Sequence, residues 1–207
     1  MIRGEKTPYS YRSGVEEQIY KYNPEIKLIW IFRNPADRAF SNYNHLVNNV
    51  DEWRSFEKSI EIEQNRPYHF QYLDKGKYID QIERFLKYFK REQMHFIIFE
   101  EFLKNTREEL NSLCSFLGVD KNNFTSFEKI QSKISFKPRF NPLFLYSYKK
   151  KFGDKGRLWN LLWKINFNSK GVKQMNPETR AKLIKYYSAY NHKLSDFLQK
   201  DLSVWNK

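Results

Sequence analysis

The sequence predicts an α/β fold with parallel strands, on three observations. Two short apolar runs, LIWIF at 28–32 and MHFIIF at 94–99, are too brief for helices and read as buried strands. Helical patterns lie between and after them. The resulting order of strand, helices, strand, helix is the order in which parallel strands are joined.

Residues 1–13 are polar and turn-like, with Pro8 favouring an extended segment. Residues 14–22 fit a short helix that Asn23-Pro24 breaks. The segment 27–43, KLIWIFRNPADRAFSNY, organises the rest of the chain. Its strand stops at Arg33, Asn34-Pro35 turns the backbone, and residues 36–49 have helical character. Asp37 is the expected N-cap, which places Ser41 in the first turn. A strand, a sharp turn and a helix N-terminus make a place for an anion, because free backbone N–H groups and the helix dipole favour negative charge there. Arg33 adds a guanidinium fork suited to phosphate oxygens, and Ser41 a hydroxyl donor. The same spacing equally suits an arginine capping a sheet edge and a serine idle on a helix surface.

Residues 53–63 show weak helical periodicity, and 64–75 are polar. Gly76 then precedes an amphipathic helix with Tyr78, Ile82, Phe85 and Phe89 on one face. After the second strand, Thr106 to Glu109 reads as a capping box opening a helix that Gly118 ends. Residues 120–148 have no sustained period; loops that long are usually functional or disordered. A short helix is expected at 158–165. Asn176-Pro177 starts the last helix, whose stripe is Leu183, Tyr187, Tyr190, Leu194 and Phe197. The sequence contains no internal repeat and no low-complexity tract.

A chain of 207 residues is expected to form a single domain over 1–207. Its aromatic content of 18% supplies large core residues and argues against disorder. The net charge of +13 favours acidic partners, whether nucleic acid, anionic membrane, nucleotide or acidic polysaccharide. The lone Cys114 excludes an internal disulfide and fits a buried core position beside Leu110, Leu113 and Leu117. No apolar run is long enough for a membrane span, and no signal-peptide core is present, so a cytoplasmic location is expected.

The seven glycines are scattered, and no phosphate-cradling loop can be assembled from them. The four histidines lack metal-ligand spacing, so no metal is expected; His95 reads as a packed or edge residue of the second strand. A second basic locus is Ser169-Lys170-Gly171-Val172-Lys173. A Lys-Gly pair lets the backbone approach an anion while the ammonium neutralises it, although a solvated loop fits as well. Lys149-Lys150-Lys151 reads as a solvated run. Glu5-Lys6 lies in an extended segment, where adjacent side chains need not pair.

In order, these pieces resemble the sulfotransferases that use 3′-phosphoadenosine 5′-phosphosulfate (PAPS), especially the heparan-sulfate type. The likeness is carried by GEKTPYSY at 4–11, by LIWIFRNPADRAFSNY with Arg33, Pro35 and Ser41 at an R-x-P…S spacing, by residues 73–119, and by NSKGVKQMNPETRAKL…YNHKL with Trp205. The resemblance implies a P-loop-NTPase-like parallel sheet flanked by helices. It implies that Arg33 and Ser41 hold the 3′-phosphate while Lys170 and Gly171 close over it. Lys173 partly replaces an arginine common where Val172 stands. It further implies that Lys6 acts in catalysis, its charge stabilising the leaving phosphate. The implied reaction is transfer of a sulfuryl group to a hydroxyl or amino group of a carbohydrate acceptor.

Departures from the family pattern carry expectations of their own. Only three residues precede Gly4, so the first strand, the 5′-phosphosulfate loop and the family's catalytic glutamate are expected to be missing, as in an N-terminally truncated member. Glu5 is a poor substitute base. A non-catalytic remnant that binds nucleotide or anionic glycan is the alternative. The disulfide of secreted members cannot form, which fits a reducing compartment. A nucleic-acid-binding domain is disfavoured, because the aromatics follow core-facing periods rather than an exposed basic sheet.

Overall fold

A computed structural model of the chain describes residues 3–6, 9–120, 142–154, 156–167 and 174–206. They group into two compact units. One is drawn from Met1–Pro35, Lys77–Lys129 and Tyr187–Lys207, the other from Ala36–Gly76 and Ile130–Tyr186.

The first unit holds the sheet. Strands β1 (Leu28–Phe32) and β2 (Met94–Ile98) pair in parallel, with Leu28 opposite Met94 and Phe32 opposite Ile98. The α/β expectation therefore holds. β1 is nevertheless not buried on both faces: Trp30 and Phe32 point inward, while Ile29 and Ile31 are 43% and 64% exposed. A run of five apolar residues carries no mark of which face is covered, so its alternation appears only in the packed structure.

The core lies on the inward face of this sheet. α4 (Tyr78–Phe85) supplies Tyr78, Ile79, Ile82 and Phe85, and Phe89 joins them from the turns that follow. Trp30 meets Phe85 edge-on at 4.9 Å, and Phe32 lies 4.6 Å from Tyr78 between ring centroids. Leu194 of α9 (Pro177–Leu198), Leu202 and Trp205 complete the cluster. The expected first helix is α1 (Val15–Tyr22), entered through Gly14 at φ 89°, a left-handed conformation that glycine adopts without steric cost.

Beyond β2 the chain departs from expectation. Phe99 does not extend the strand but opens α5 (Phe99–Lys104), a helix the sequence reading did not foresee. The capping box at Thr106 is absent as well. Thr106 is the first residue of α6 (Thr106–Leu117), and its hydroxyl donates instead to the Phe102 carbonyl at 2.7 Å. The preceding helix offers this free carbonyl, which competes for the hydroxyl. Gly118 does end α6, in the left-handed region at φ 73°. Cys114 is buried, and His95 stacks on Phe116 at 5.1 Å, where burial pushes its imidazole pKa below the usual value.

The second unit contains α2 (Pro35–Asn48), apart from Pro35 itself, with α3 (Phe56–Glu61), α7 (Pro142–Phe152), α8 (Arg157–Phe167) and the first turns of α9. Tyr43 and Phe56 pack at 5.2 Å, with Tyr72 against both, and a second cluster joins Val50, Leu145 and Trp159. α7 occupies part of the stretch expected to be irregular, whose residues 121–141 lie outside the described ones. Lys149 is not a solvated cation: its Nζ donates at 2.7 Å to both the Asn49 carbonyl and Asp51. Asn176 does cap α9, its Oδ1 accepting from Glu178 N at 2.9 Å.

The fold predicts an asymmetry between two isoleucines that look alike in the sequence. Ile82→Ala should cost about 2–5 kcal/mol in urea unfolding, because a buried side chain leaves a cavity. Ile31→Ala, on the exposed face of β1, should cost well under ~1 kcal/mol.

Candidate functional site

β1 delivers Arg33 to the C-terminal edge of the sheet. The buried Phe32 before it anchors the backbone, and Tyr78 Oη donates to the Arg33 carbonyl at 3.0 Å. The Arg33 guanidinium sits over the Phe99 ring, 5.5 Å from its centroid, and forms an ion pair with none of the described residues. Its charge is held by a cation–π contact rather than cancelled by a carboxylate, which leaves it available to an anion.

The next residue is tied down by a group the sequence reading missed. Glu100, in the first turn of α5, accepts from Asn34 N at 2.9 Å and from Trp205 Nε1 at 3.2 Å. Asn34 Nδ2 donates in turn to the Trp205 carbonyl at 3.3 Å. One carboxylate thus joins the turn after β1 to the C-terminal tryptophan. Glu100 stands in a run of acidic residues that looks like an ordinary helix N-terminus, so only the distant Trp205 reveals its role.

Asp37 is not the N-cap. α2 begins at Pro35, whose fixed φ suits the first helical position and whose missing N–H costs nothing there. Asp37 lies in the first turn and forms an ion pair with Arg180 near the start of α9. Ser41 consequently falls in the second turn, where backbone N–H groups are already bonded within the helix. It is exposed, so its hydroxyl rather than its amide is the available donor.

α2 and the segment after it are held by two buried carboxylates. Glu52 is fully buried and accepts from Trp53 N at 3.0 Å, Arg54 N at 3.1 Å and Tyr72 Oη at 3.1 Å, and it pairs with Arg66. Burial alone would raise its pKa, but Arg66 and the Arg54 amide outweigh it and hold the carboxyl below its usual range. Glu63 is placed differently. It accepts from the amides of Tyr72 and Leu73, at 2.9 Å each, pairs with no cation among the described residues, and burial, with a smaller contribution from the Asp74 charge, pushes its pKa up. In the same unit, Phe40, Phe56, Glu57, Met175, Asn176 and Pro177 are among the residues lining an open cavity of about 550 Å³.

Of the six site residues that the resemblance implies, the described ones are Lys6, Arg33 and Ser41. Lys6 is exposed in the N-terminal segment, and its neighbour Glu5 is exposed as well. Lys170, Gly171 and Lys173 lie outside the described residues. No group of acidic, histidine or cysteine side chains able to hold a metal occurs among the described residues. No helix among them is long and apolar enough to cross a membrane.

A parallel pair of strands joined through helices, with Arg33 just past the carboxyl end of the first, places the chain among the α/β proteins. The particular family follows from comparison with known proteins. The sulfotransferase domain profile matches residues 17–197, and the chain belongs to that family. Mouse heparan sulfate glucosamine 3-O-sulfotransferase 5 is 28% identical over 204 residues, covering 91% of this chain and 52% of its own length. The bifunctional heparan sulfate N-deacetylase/N-sulfotransferase 1 of Caenorhabditis elegans is 26% identical over 186 residues, covering 86% of this chain and 20% of its own. The crystal structure of a sulfotransferase from Alicyclobacillus acidocaldarius superposes with a TM-score of 0.67 at 26% identity, over 96% of this chain and 65% of that one. The chain therefore spans about half the length of the 3-O-sulfotransferase and less of the bifunctional enzyme.

Two outcomes follow from the carboxylates. Glu100→Ala should lose about 1.5–3 kcal/mol per charge-assisted bond removed and release the Trp205 indole, seen as a red shift of tryptophan fluorescence. Glu63 has a folded-state pKa above its unfolded value of about 4.3, so its contribution is fully present below that pH and is lost as pH rises through the folded pKa. Urea midpoints measured across that window should fall with pH in the wild type more than in Glu63→Gln.

Proposed function

We propose that this chain is the nucleotide-binding part of a sulfotransferase domain that takes PAPS as co-substrate and delivers its sulfuryl group to a hydroxyl or amino group of a carbohydrate. Membership of the family supports the reaction class, and the names of the heparan sulfate relatives support a glycan acceptor. The observation that carries the reading is Arg33: a guanidinium without a described ion-pair partner, at the strand end just before the Pro35 start of α2. A doubly charged phosphate is the ligand such a group suits best.

In this reading Arg33 and Ser41 bind the 3′-phosphate, and Lys170, Gly171 and Lys173 close over it. Lys6 stabilises charge on the 5′-phosphate as it leaves. The acceptor oxygen or nitrogen attacks sulfur in line, forming the new bond as the bond from sulfur to the 5′-phosphate oxygen breaks. The acceptor proton passes to a base, and adenosine 3′,5′-bisphosphate departs. The base is not assigned to this chain: Glu5, the nearest carboxylate to Lys6 in sequence, belongs to the motif that accompanies the family's own base. The single cysteine of the whole sequence fits a reducing compartment such as the cytoplasm.

Calorimetry with adenosine 3′,5′-bisphosphate tests the assignment. Arg33→Ala should weaken binding by about 1.5–3 kcal/mol, roughly tenfold to a hundredfold or more, and Arg33→Lys should restore only part of it. Unchanged affinity in Arg33→Ala would remove the phosphate site from this position. Sulfate transfer from PAPS to a panel of glycans, with turnover by the wild type, tests the reaction itself.

A further inference from the structure

Helices α7 and α8 carry two apolar faces where a packed helix needs one. The inward face of this pair is accounted for: Leu145 and Trp159 are buried with Val50, Tyr148 stacks on Trp159 at 6.1 Å, and Lys149 is pinned to Asp51. The outward face of α8 is not. Leu158, Leu161 and Ile165 recur at i, i+3 and i+7, which places them on one stripe of the helix, and they are 55%, 54% and 42% exposed. Exposed Arg157 and Lys164, also seven residues apart, run alongside that stripe. On α7, Phe144 is 60% exposed in company with exposed Lys150 and Lys151.

Along the two helices the charge is of one sign, with Asp154, 55% exposed, in the link between them. The sequences PLFLYSYKKKF and RLWNLLWKINF contain no aspartate or glutamate. A solvated helix surface would mix both signs, and a core-facing stripe would lack the exposure. An exposed aliphatic stripe bordered by cations is the pattern of a helix lying in a bilayer interface, with its apolar side chains at the acyl boundary and its cations among anionic headgroups. At eleven residues α8 is far too short to span a bilayer.

We propose that α8 docks this protein on an anionic membrane surface, Leu158, Leu161 and Ile165 entering the interface and Arg157 and Lys164 meeting lipid phosphates. Lys150 and Lys151 of α7 strengthen the positive field from the neighbouring helix, within about a Debye length of the surface. Nucleic acid or a sulfated polysaccharide would use the cations but leave the leucines in water, so the aliphatic stripe favours lipid. The inference rests on α7 and α8 alone and stands independently of the transferase reading.

Vesicle flotation with the full chain tests it, comparing vesicles of pure phosphatidylcholine with vesicles of equal parts phosphatidylcholine and phosphatidylglycerol. The protein should float with the mixed vesicles at low salt, stay behind with the neutral ones, and detach as salt rises. Leu158→Gln/Leu161→Gln keeps the net charge and should weaken binding by about tenfold or more, because apolar burial is lost. Arg157→Gln/Lys164→Gln should weaken it by about fivefold for each cation removed. Both variants change exposed side chains, so their thermal unfolding should match the wild type, confirming that lost binding is not lost folding. Absence of binding to the mixed vesicles would overturn the proposal. So would full binding by the double leucine variant, which would reduce the effect to plain charge. Concentration-dependent self-association that the same variant abolishes would assign the stripe to a second copy of the chain instead.

Discussion

The carboxylate of Glu100 is the constraint on which the sheet-bearing unit depends. It receives the amide of Asn34, where β1 ends, and the indole N–H of Trp205, at the end of the chain. Asn34 and Trp205 are both buried, so each N–H would be left without water if the carboxylate were removed. The turn after Arg33 shares this acceptor with Trp205, 171 positions beyond Asn34. Tyr78 on the Arg33 carbonyl and Phe99 beneath the guanidinium add further restraint without neutralising the charge, and the proposed phosphate site would gain from a cation ordered before its ligand arrives.

The second unit solves a related problem in another way. Tyr43, Phe56 and Tyr72 form an aromatic core with Glu52 completely buried beside it. A lone carboxylate there would be very unfavourable, and Arg66, Tyr72 and two backbone amides offset its desolvation. Glu63 receives only amides and is accordingly easier to protonate. Two glutamates eleven residues apart, identical as letters, thus differ in the sign of their pKa shift: Glu52 has Arg66, whereas Glu63 has no cation among the described residues and faces the Asp74 charge. Cations are plentiful in this chain, yet the structure uses some as internal pins, as with Lys149 and Arg180, and leaves others exposed on α7 and α8.

The elements were legible wherever a single periodicity governed them. The parallel pair β1 and β2, the face of α4, the Gly118 stop and the Asn176-Pro177 start of α9 could be read from spacing and end signals alone. Legibility failed where two local signals competed. Pro35 and Asp37 both mark a helix start, and the proline took the position. Thr106 could cap α6, but its hydroxyl donates to the Phe102 carbonyl instead. For the site, the residue types at the β1–α2 junction pointed to anion chemistry, and their resemblance to a family pattern gave them roles. Glu100 was out of reach, because nothing near it in sequence marks the tryptophan it binds.

The sequence by itself determined the class of fold, the family and the basic character of the chain. Those properties reside in local spacing, motif and composition, which survive without knowledge of packing. Tertiary structure alone decided which groups remain available: that Arg33 rests on an aromatic ring, that Lys149 is consumed by Asp51, and that Leu158 and Leu161 of α8 are exposed while Leu162 is packed inward. Availability is a property of what lies within a few ångströms in space, and residues that distant in sequence meet only when the chain is folded.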